Sequence, residues 1–570
     1  MSLKHEEVGG LSEKHANVTP GYSPTQDGSS DPEHLAVTGG NALHKDLKGR
    51  HMQMIAIGGA IGAGLFVGSG SAFQNGGPAS VLLGFMIARL WLTRSLSYLV
   101  MQALAELAVL YPVNGAFTMY ICRFVDPSWG FACGWQYAIS WLTVLPFEIS
   151  AACNIIHFWP GSEGISNAAW IVPLLVALVA IQLFGVEFVL SIMKIIACIG
   201  FMILGIIIDC GGVPTDDRGY IGAKYWHNPG AFNNGFHGFC SVFVTAAFAY
   251  TGTELTGLAA AETADPVKEI PKASKQVVWR IAIFYIVNLF LVGLIVPYDS
   301  DYYKQEGAES RTSPFVIAIE SAGIKVLPGI FNAVILISVM SVANSCTFGS
   351  TRTIQALAGN GMGPGFLAYI DKHGRPISTV VLQLLFGCLA FINLADNGGV
   401  IFNWLLSLSG LSILFIYGSI ALAHIRFRSA WKAAGHSTDE LPFKAAFGIW
   451  GSYICLFINI IALMAQFYTA LYPIGGPYLT ANLFFQAYLA GPFLIALYLG
   501  WKIYSWFVRP EDRPFYVKIR DIDIYSGMRA EQVYISGPNV SEEDRRRNLA
   551  EYKGAEKKQN LAVRIFGNLF

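Results

Sequence analysis

Charge is what this sequence lacks. Only 13% of its 570 residues are Asp, Glu, Lys or Arg, against about 25% in an ordinary soluble domain. Lys plus Arg and Asp plus Glu both total 38, so no basic excess points to a nucleic-acid partner. The nine cysteines are scattered and none forms CxxC, so neither a zinc site nor a disulfide framework is suggested. No metal and no cofactor is implied. The first fifty residues hold no apolar run of signal-peptide length, so no cleavable leader is expected. No nucleophile–base arrangement suggests an enzyme, and His157 and His237 lie near the ends of apolar runs, where an interfacial role is the simpler reading. What the chain does have is apolar surface: 54% hydrophobic and 13% aromatic residues. That is the composition of a protein dissolved in lipid.

A membrane-spanning helix needs about 20 mostly apolar residues. Twelve stretches qualify: 52–73, 80–110, 131–158, 168–186, 188–209, 236–262, 278–297, 326–357, 378–394, 400–424, 449–471 and 482–507. The organisation is then a disordered polar tail over 1–50, a transmembrane domain over 51–507 and a charged tail over 508–570, with some helix around Ser541–Tyr552. An even number of spans puts both termini on one side, and Lys and Arg decide which. One set of loops carries eleven of them: Arg123, Lys268, Lys272, Lys275, Arg280, Lys372, Arg375, Arg426, Arg428, Lys432 and Lys444. The other set carries five: Arg218, Lys224, Lys304, Arg311 and Lys325. Both termini are therefore expected in the cytoplasm, where the sequons at Asn17 and Asn539 are chance matches.

Two spans contain breaks. "IAIGGAIGAGLFVGSG", Ile55 to Gly70, carries six glycines, with Gly62-Ala63-Gly64 at mid-span. "FAYTGTELTG", Phe248 to Gly257, puts the polar and weakly helical Thr251-Gly252-Thr253 in the sixth span. Irregular backbone at membrane depth survives where it lines a cavity or is buried in protein. Small residues also serve close helix packing, and spacing alone leaves the two readings even. A broken helix offers N–H groups to a carboxylate and C=O groups to an ammonium, and a free amino acid carries both. Interruptions in spans one and six also suit a midplane site between two inverted repeats of five helices. Ionisable residues inside spans are costly and functional by default; here they are Glu148, Lys194 and Glu254. A buried lysine can exchange a proton during a cycle, or it can be a static ion pair or a side chain reaching for the boundary. Glu106 and Glu187, near span ends, read as structural. Ser338, Ser341, Asn344 and Ser345 form a polar face on the eighth span.

Several long motifs in order carry a likeness: "IGGAIGAGLFVGSG", "QALAELAVLYPVNGAF", "FEISAACNIIHFW", "FVTAAFAYTGTELTGLAAAETADPVKEIPKA", "SVANSCTFGSTRTIQALAGNGMGPGFLAYIDKHGRP" and "IRDIDIYSG". Over about residues 45–530 the chain resembles the fungal amino acid permeases of the amino acid–polyamine–cation superfamily, and among them the general amino acid permeases. The resemblance implies an all-α integral membrane protein of 12 transmembrane helices, a LeuT-type 5+5 inverted repeat plus two extra helices. It implies proton-coupled uptake of free amino acids across the plasma membrane, with broad specificity. By position, the N–H groups of Gly62, Ala63 and Gly64 would hold the substrate carboxylate. Carbonyls of Ala60, Phe248 and Thr251 would receive the ammonium, and the Phe248 ring would cover the substrate from outside. Lys194 matches a lysine that stands in for the sodium of relatives, close to Ser341 and Ser345; Glu148 and Glu254 match the family's membrane carboxylates. The implied partners are free amino acids, protons, membrane lipid and, at tail lysines such as Lys4, Lys14 and Lys45, ubiquitin-ligase machinery.

One stretch departs from the family. "IARLWLTRSLSYLV" places Arg89 and Arg94 in the second span, each costing about 2.5–3.5 kcal/mol on insertion scales. Either they pair inside the protein or the stretch is a reading-frame artefact. The alternatives to a broad carrier are a narrow-specificity permease, for proline or acidic amino acids, and an amino acid receptor on the same scaffold. A channel ranks last, because no continuous polar face runs through the spans.

Overall fold

The computed structural model describes residues 54–552 apart from 56–57, 88–95, 163, 185–186, 264, 305–312, 373 and 395–397. Arg89, Arg94, Lys4, Lys14 and Lys45 lie outside the described residues.

The described chain is helical throughout its apolar runs, and each of the twelve candidate spans has its helix. In order these are α1 (Ala63–Phe66), α2 (Gly68–Ile87), α3 (Leu96–Leu110), α4 (Ala116–Phe124), α5 (Pro127–Ile156), α6 (Asn167–Phe184), α7 (Glu187–Asp209), α8 (Gly235–Ala249), α9 (Leu255–Leu258), α10 (Pro266–Ile295), α11 (Leu327–Gly359), α12 (Ile377–Gly387), α13 (Gly398–Ala433), α14 (Gly448–Leu471), α15 (Ala481–Tyr488) and α16 (Ala490–Val508). Among the described residues five helices are singly long and apolar enough to cross a bilayer, including α5, α11 and α14. The pair α15–α16, bent by 76°, makes a sixth. The remaining spans are shorter apolar helices or interrupted ones. α2 joins the end of the first span to the start of the second across Gly77, whose φ of +78° leaves the helical region just before Pro78.

Helix starts follow local chemistry. Asp126 caps α5 by accepting from Trp129 N–H at 3.0 Å, with Pro127 at the first position. Asp265 and Pro266 open α10 in the same way. A side-chain oxygen there satisfies one of the orphan N–H groups, and proline lacks the N–H that would be orphaned. Two helices run past the span limits read from the sequence. α10 begins at Pro266 rather than 278, and α13 runs on to Ala433, so Lys268, Arg426 and Arg428 sit on helix and not in loops.

The core lies along α5, which packs on α11 more extensively than any other two elements pack on each other. Its buried face includes Trp141, Leu145, Glu148 and Ile149. At one end of the bundle a buried cluster binds α3 to α13 and α14. Glu106 accepts from His424 Nε2 at 3.0 Å, from Arg428 Nη2 at 2.7 Å and from the Ala445 N–H at 2.6 Å, and His424 Nδ1 meets Ser452 Oγ at 2.8 Å. A carboxylate buried this deeply is tolerable because each oxygen has charged or N–H partners.

The C-terminal segment is more than a tail. Ile522, Ile524, Met528 and Ile535 are buried in the core. The Tyr111 hydroxyl donates to Ile524 O at 2.6 Å, Arg123 donates to Ser526 O at 2.6 Å, and Val517 N–H donates to Val125 O at 3.0 Å. Arg426 donates to both Phe124 O and Val517 O. A last helix, α17 (Ala530–Ser536), docks on Glu440 through Ser536 Oγ at 2.7 Å. The chain is helical again over 542–552.

Candidate functional site

The first span breaks at Ile61–Gly62. Gly62 is extended (φ −158°), and α1 begins at Ala63 with Gly62 O accepting from Leu65 and Phe66 N–H at 3.1 Å. The sixth span breaks after Ala249. Gly252 takes φ +103°, a conformation reserved for glycine, before α9 resumes at Leu255. The two breaks touch: a Cβ on Gly252 would stand 2.7 Å from the Gly59 carbonyl carbon and 3.1 Å from Ala60 N. The two spans whose breaks touch are the first and the sixth.

A small cavity lies where they meet. Gly59, Ala60, Gly62, Ala63, Gly64, Phe248 and Thr251 line it from the breaks. Trp141, Val144 and Glu148 line it from α5, and Val342 from α11. All six positions expected to contact substrate are therefore on one cavity. The glycines serve packing as well. A Cβ on Gly64 would lie 2.8 Å from Ala249 Cα, and one on Gly62 would lie 2.2 Å from Val342 Cγ2. The two readings left even by the spacing coexist: Gly62 and Gly64 border the cavity because they also let helices meet.

The polar groups are partly engaged. The Tyr285 hydroxyl sits 2.6 Å from Ala60 O and 2.7 Å from Ala249 O, and so ties the two breaks together. Phe248 O accepts from Thr251 N–H at 3.1 Å, and Thr251 Oγ1 donates to Ala247 O at 3.3 Å. The Phe248 ring stands edge-on to Phe147, with centroids 5.3 Å apart.

The three ionisable candidates separate. Glu148 lines the cavity, and its Oε2 has no hydrogen-bond partner among the described residues. Lys194 lies behind the first break, fully buried, and donates from Nζ to Gly58 O at 2.8 Å. A Cβ on Gly58 would meet Ser345 Oγ at 3.2 Å and Ser341 Oγ at 3.5 Å, so the lysine's anchor does adjoin the polar face of α11. Glu254 does not line the cavity. It takes Tyr137 OH at 3.0 Å, Tyr417 OH at 2.9 Å and Gly252 N–H at 3.0 Å, closing the second break onto α5 and α13. Further from the cavity, Glu262 pairs with Arg352 at 3.0 Å. Sequence reasoning missed Trp141, Val144 and Val342, because an apolar side chain facing a cavity has the same sequence pattern as one facing a helix.

Two broken spans thus meet at a small cavity with one ionisable residue among those lining it. The profile of the amino acid permease family matches residues 51–513, and the chain belongs to that family. It is 50% identical to an uncharacterised amino-acid permease of Schizosaccharomyces pombe over 497 residues, 86% of this chain and 82% of that one. It is 49% identical to the cationic amino acid transporter 1 of the same yeast, over 86% of this chain and 82% of that protein. It is 45% identical to the general amino-acid permease GAP1 of Saccharomyces cerevisiae, over 90% of this chain and 85% of that protein. Among solved structures, the manganese transporter of Eremococcus coleocola aligns with a TM-score of 0.49 at 12% identity, over 82% of this chain and 98% of that one.

Proposed function

We propose that this permease carries amino acids of many side-chain types into the cell across the plasma membrane, coupled to protons, with both termini cytoplasmic. The observation that carries the reading is the cavity where both breaks expose backbone to the same small space. Backbone recognition engages only the atoms that all α-amino acids share. The N–H groups of Gly62, Ala63 and Gly64 hold the carboxylate, and carbonyls of Ala60, Phe248 and Thr251 hold the ammonium. The variable side chain then meets Trp141, Val144, Val342 and Phe248, which are apolar or aromatic and select by shape. Glu148 and Lys194 carry the coupling, Glu148 from the cavity wall and Lys194 through Gly58; Glu254 joins them by holding the second break in register. The test is uptake of a panel of radiolabelled amino acids, at acid and neutral external pH, in cells lacking their own permeases. Uptake of several chemical types, stronger in acid, is expected; uptake of a single type would replace broad with narrow specificity, and binding without flux would make the protein a receptor. Lys4, Lys14 and Lys45 are proposed as ubiquitin acceptors. Replacing all three with Arg should slow nitrogen-triggered loss from the surface, and an unchanged rate would reject them.

A further inference from the structure

The cavity wall at Trp141 leans on a glycine of another helix. α5 and α11 run antiparallel. Near one end Asn332 Nδ2 donates to Ile155 O at 3.0 Å, and near the other a Cβ on Gly134 would meet Leu357 Cδ2 at 2.8 Å. Between these contacts Trp141 lies opposite Gly349. A Cβ on Gly349 would stand 3.1 Å from each of Cγ, Cδ2 and Cε2 of the indole. Three neighbouring ring atoms at one distance mean that the indole lies with its face against the glycine. Trp141 is among the residues lining the cavity and Gly349 is not. The indole is therefore the wall there, with α11 behind it. It is 1% exposed, and Tyr137 packs on it T-shaped with centroids 6.1 Å apart. Gly349 lies inside α11, where Ala would be the better helix former, so the helix itself gives no reason for a glycine. The ring does.

We propose that Gly349 is a specificity-determining positioning residue: having no side chain, it seats the Trp141 indole back against α11 and so sets how large a substrate side chain the cavity accepts. The inference rests on the amino-acid reading of the cavity and says what fixes its size. The walls left to meet a variable side chain are Trp141, Val144, Val342 and Phe248. Trp141 is the largest of them, so its position displaces the most volume. Ala at 349 brings a Cβ to 3.1 Å from the ring, inside ordinary contact at 3.4 Å. Two movements relieve that crowding. α5 and α11 can part, but they pack on each other more extensively than any other two described elements, and an interior at native density resists such a shift. The indole can instead move off α11, and the space open beside it is the cavity. A small cavity that loses a few tenths of an ångström excludes a large side chain before a small one. One methylene of misfit in an apolar pocket already costs on the order of tenfold.

The test is the substrate profile. In cells lacking their own permeases, amino acids from glycine to phenylalanine compete against uptake of one labelled amino acid, measured per surface molecule. Gly349→Ala should lower the apparent affinity for phenylalanine relative to glycine about tenfold. Trp141→Leu should move the same ratio the other way. With Leu at 141 the added methyl has no ring to push, so Gly349→Ala in that background should leave the ratio within about twofold. An equal shift in both backgrounds would overturn the proposal and make Gly349 a plain packing residue, as would a uniform loss across the series or an unchanged profile in Gly349→Ala. If Gly349→Ala does not reach the surface, Trp141→Leu decides: a raised ratio supports the proposal, and an unchanged one takes the ring out of selection and the glycine with it. No uptake of any amino acid by the unaltered chain would remove the amino-acid reading itself. Normal uptake with a profile that neither substitution moves would remove this inference alone.

Discussion

Gly252→Ala is the sharpest perturbation available, because it adds one methyl group where the two broken spans touch. Two costs follow from the geometry. Gly252 has φ +103°, and holding a non-glycine residue in so sparse a region costs about 1–3 kcal/mol. The added Cβ would also lie 2.7 Å from the Gly59 carbonyl carbon and 3.0 Å from its oxygen. Both neighbours are backbone and cannot rotate away, so the breaks must part by about 0.7 Å to reach ordinary contact at 3.4 Å. Strain alone lowers the population of the assembled site by about 5- to 150-fold. A misplacement near 1 Å costs on the order of 100-fold where a bound molecule must be positioned. Uptake per surface molecule should therefore fall at least tenfold. The assay is initial-rate uptake normalised to surface biotinylation, with Gly200→Ala beside it. Gly200 is also a mid-span glycine, on α7, but an added Cβ there meets nothing within 4 Å, so that variant should transport normally. Normal uptake by Gly252→Ala at normal surface level would refute the idea that the site is built from the contact of the two breaks.

Lys194→Ala removes a charged donor from Gly58 O; it should reach the surface, fail to concentrate substrate and lose pH dependence in its residual uptake. Lys194→Arg should be nearly as poor, since Arg does not release its proton, and accumulation with normal pH dependence in Lys194→Ala would place the coupling on Glu148 alone. Phe248→Ala should change the relative uptake of large and small amino acids, measured by competition; a uniform loss across the panel would take Phe248 out of the pocket. The docked C-terminal segment should loosen in acid. Burial holds His436 below its usual 6.5 against the pull of Glu440, with Arg545 acting in the same direction as burial, so this histidine stabilises docking in its neutral form and the contribution is lost as pH falls. His436 contacts Tyr525 OH at 3.0 Å, so protease cleavage near 525–536 in permeabilised cells should accelerate on acidification and should not do so in His436→Phe. A Val at Gly64 is a poor probe of substrate binding, because it would strike the Ala249 backbone whether or not a ligand is present.

Much of the architecture was legible before any coordinates. Hydrocarbon forces every backbone group to bond within its own helix, so length and apolarity alone marked the spans, and a run of glycines inside one could mean only a break or a close approach. The same constraint made Glu148, Lys194 and Glu254 conspicuous. What the sequence could not decide was which side chains share a space. Glu148 and Ala63 are 85 positions apart, and nothing local says that they line one cavity. Glu254 and Lys194 carry the same kind of signal as Glu148, yet one closes a turn and the other anchors Gly58. Trp141 and Val342 carried no signal, since facing a cavity and facing a helix call for the same apolar residue. The C-terminal segment was charged enough to look like a tail; only the burial of Ile522, Ile524 and Met528 among the membrane helices' apolar residues made it part of the core. Periodicity and composition act along the chain, and determine which segments enter the membrane and where they break. Which break meets which, and which side chains line one cavity, depends on contacts between distant segments that exist only once the helices have packed.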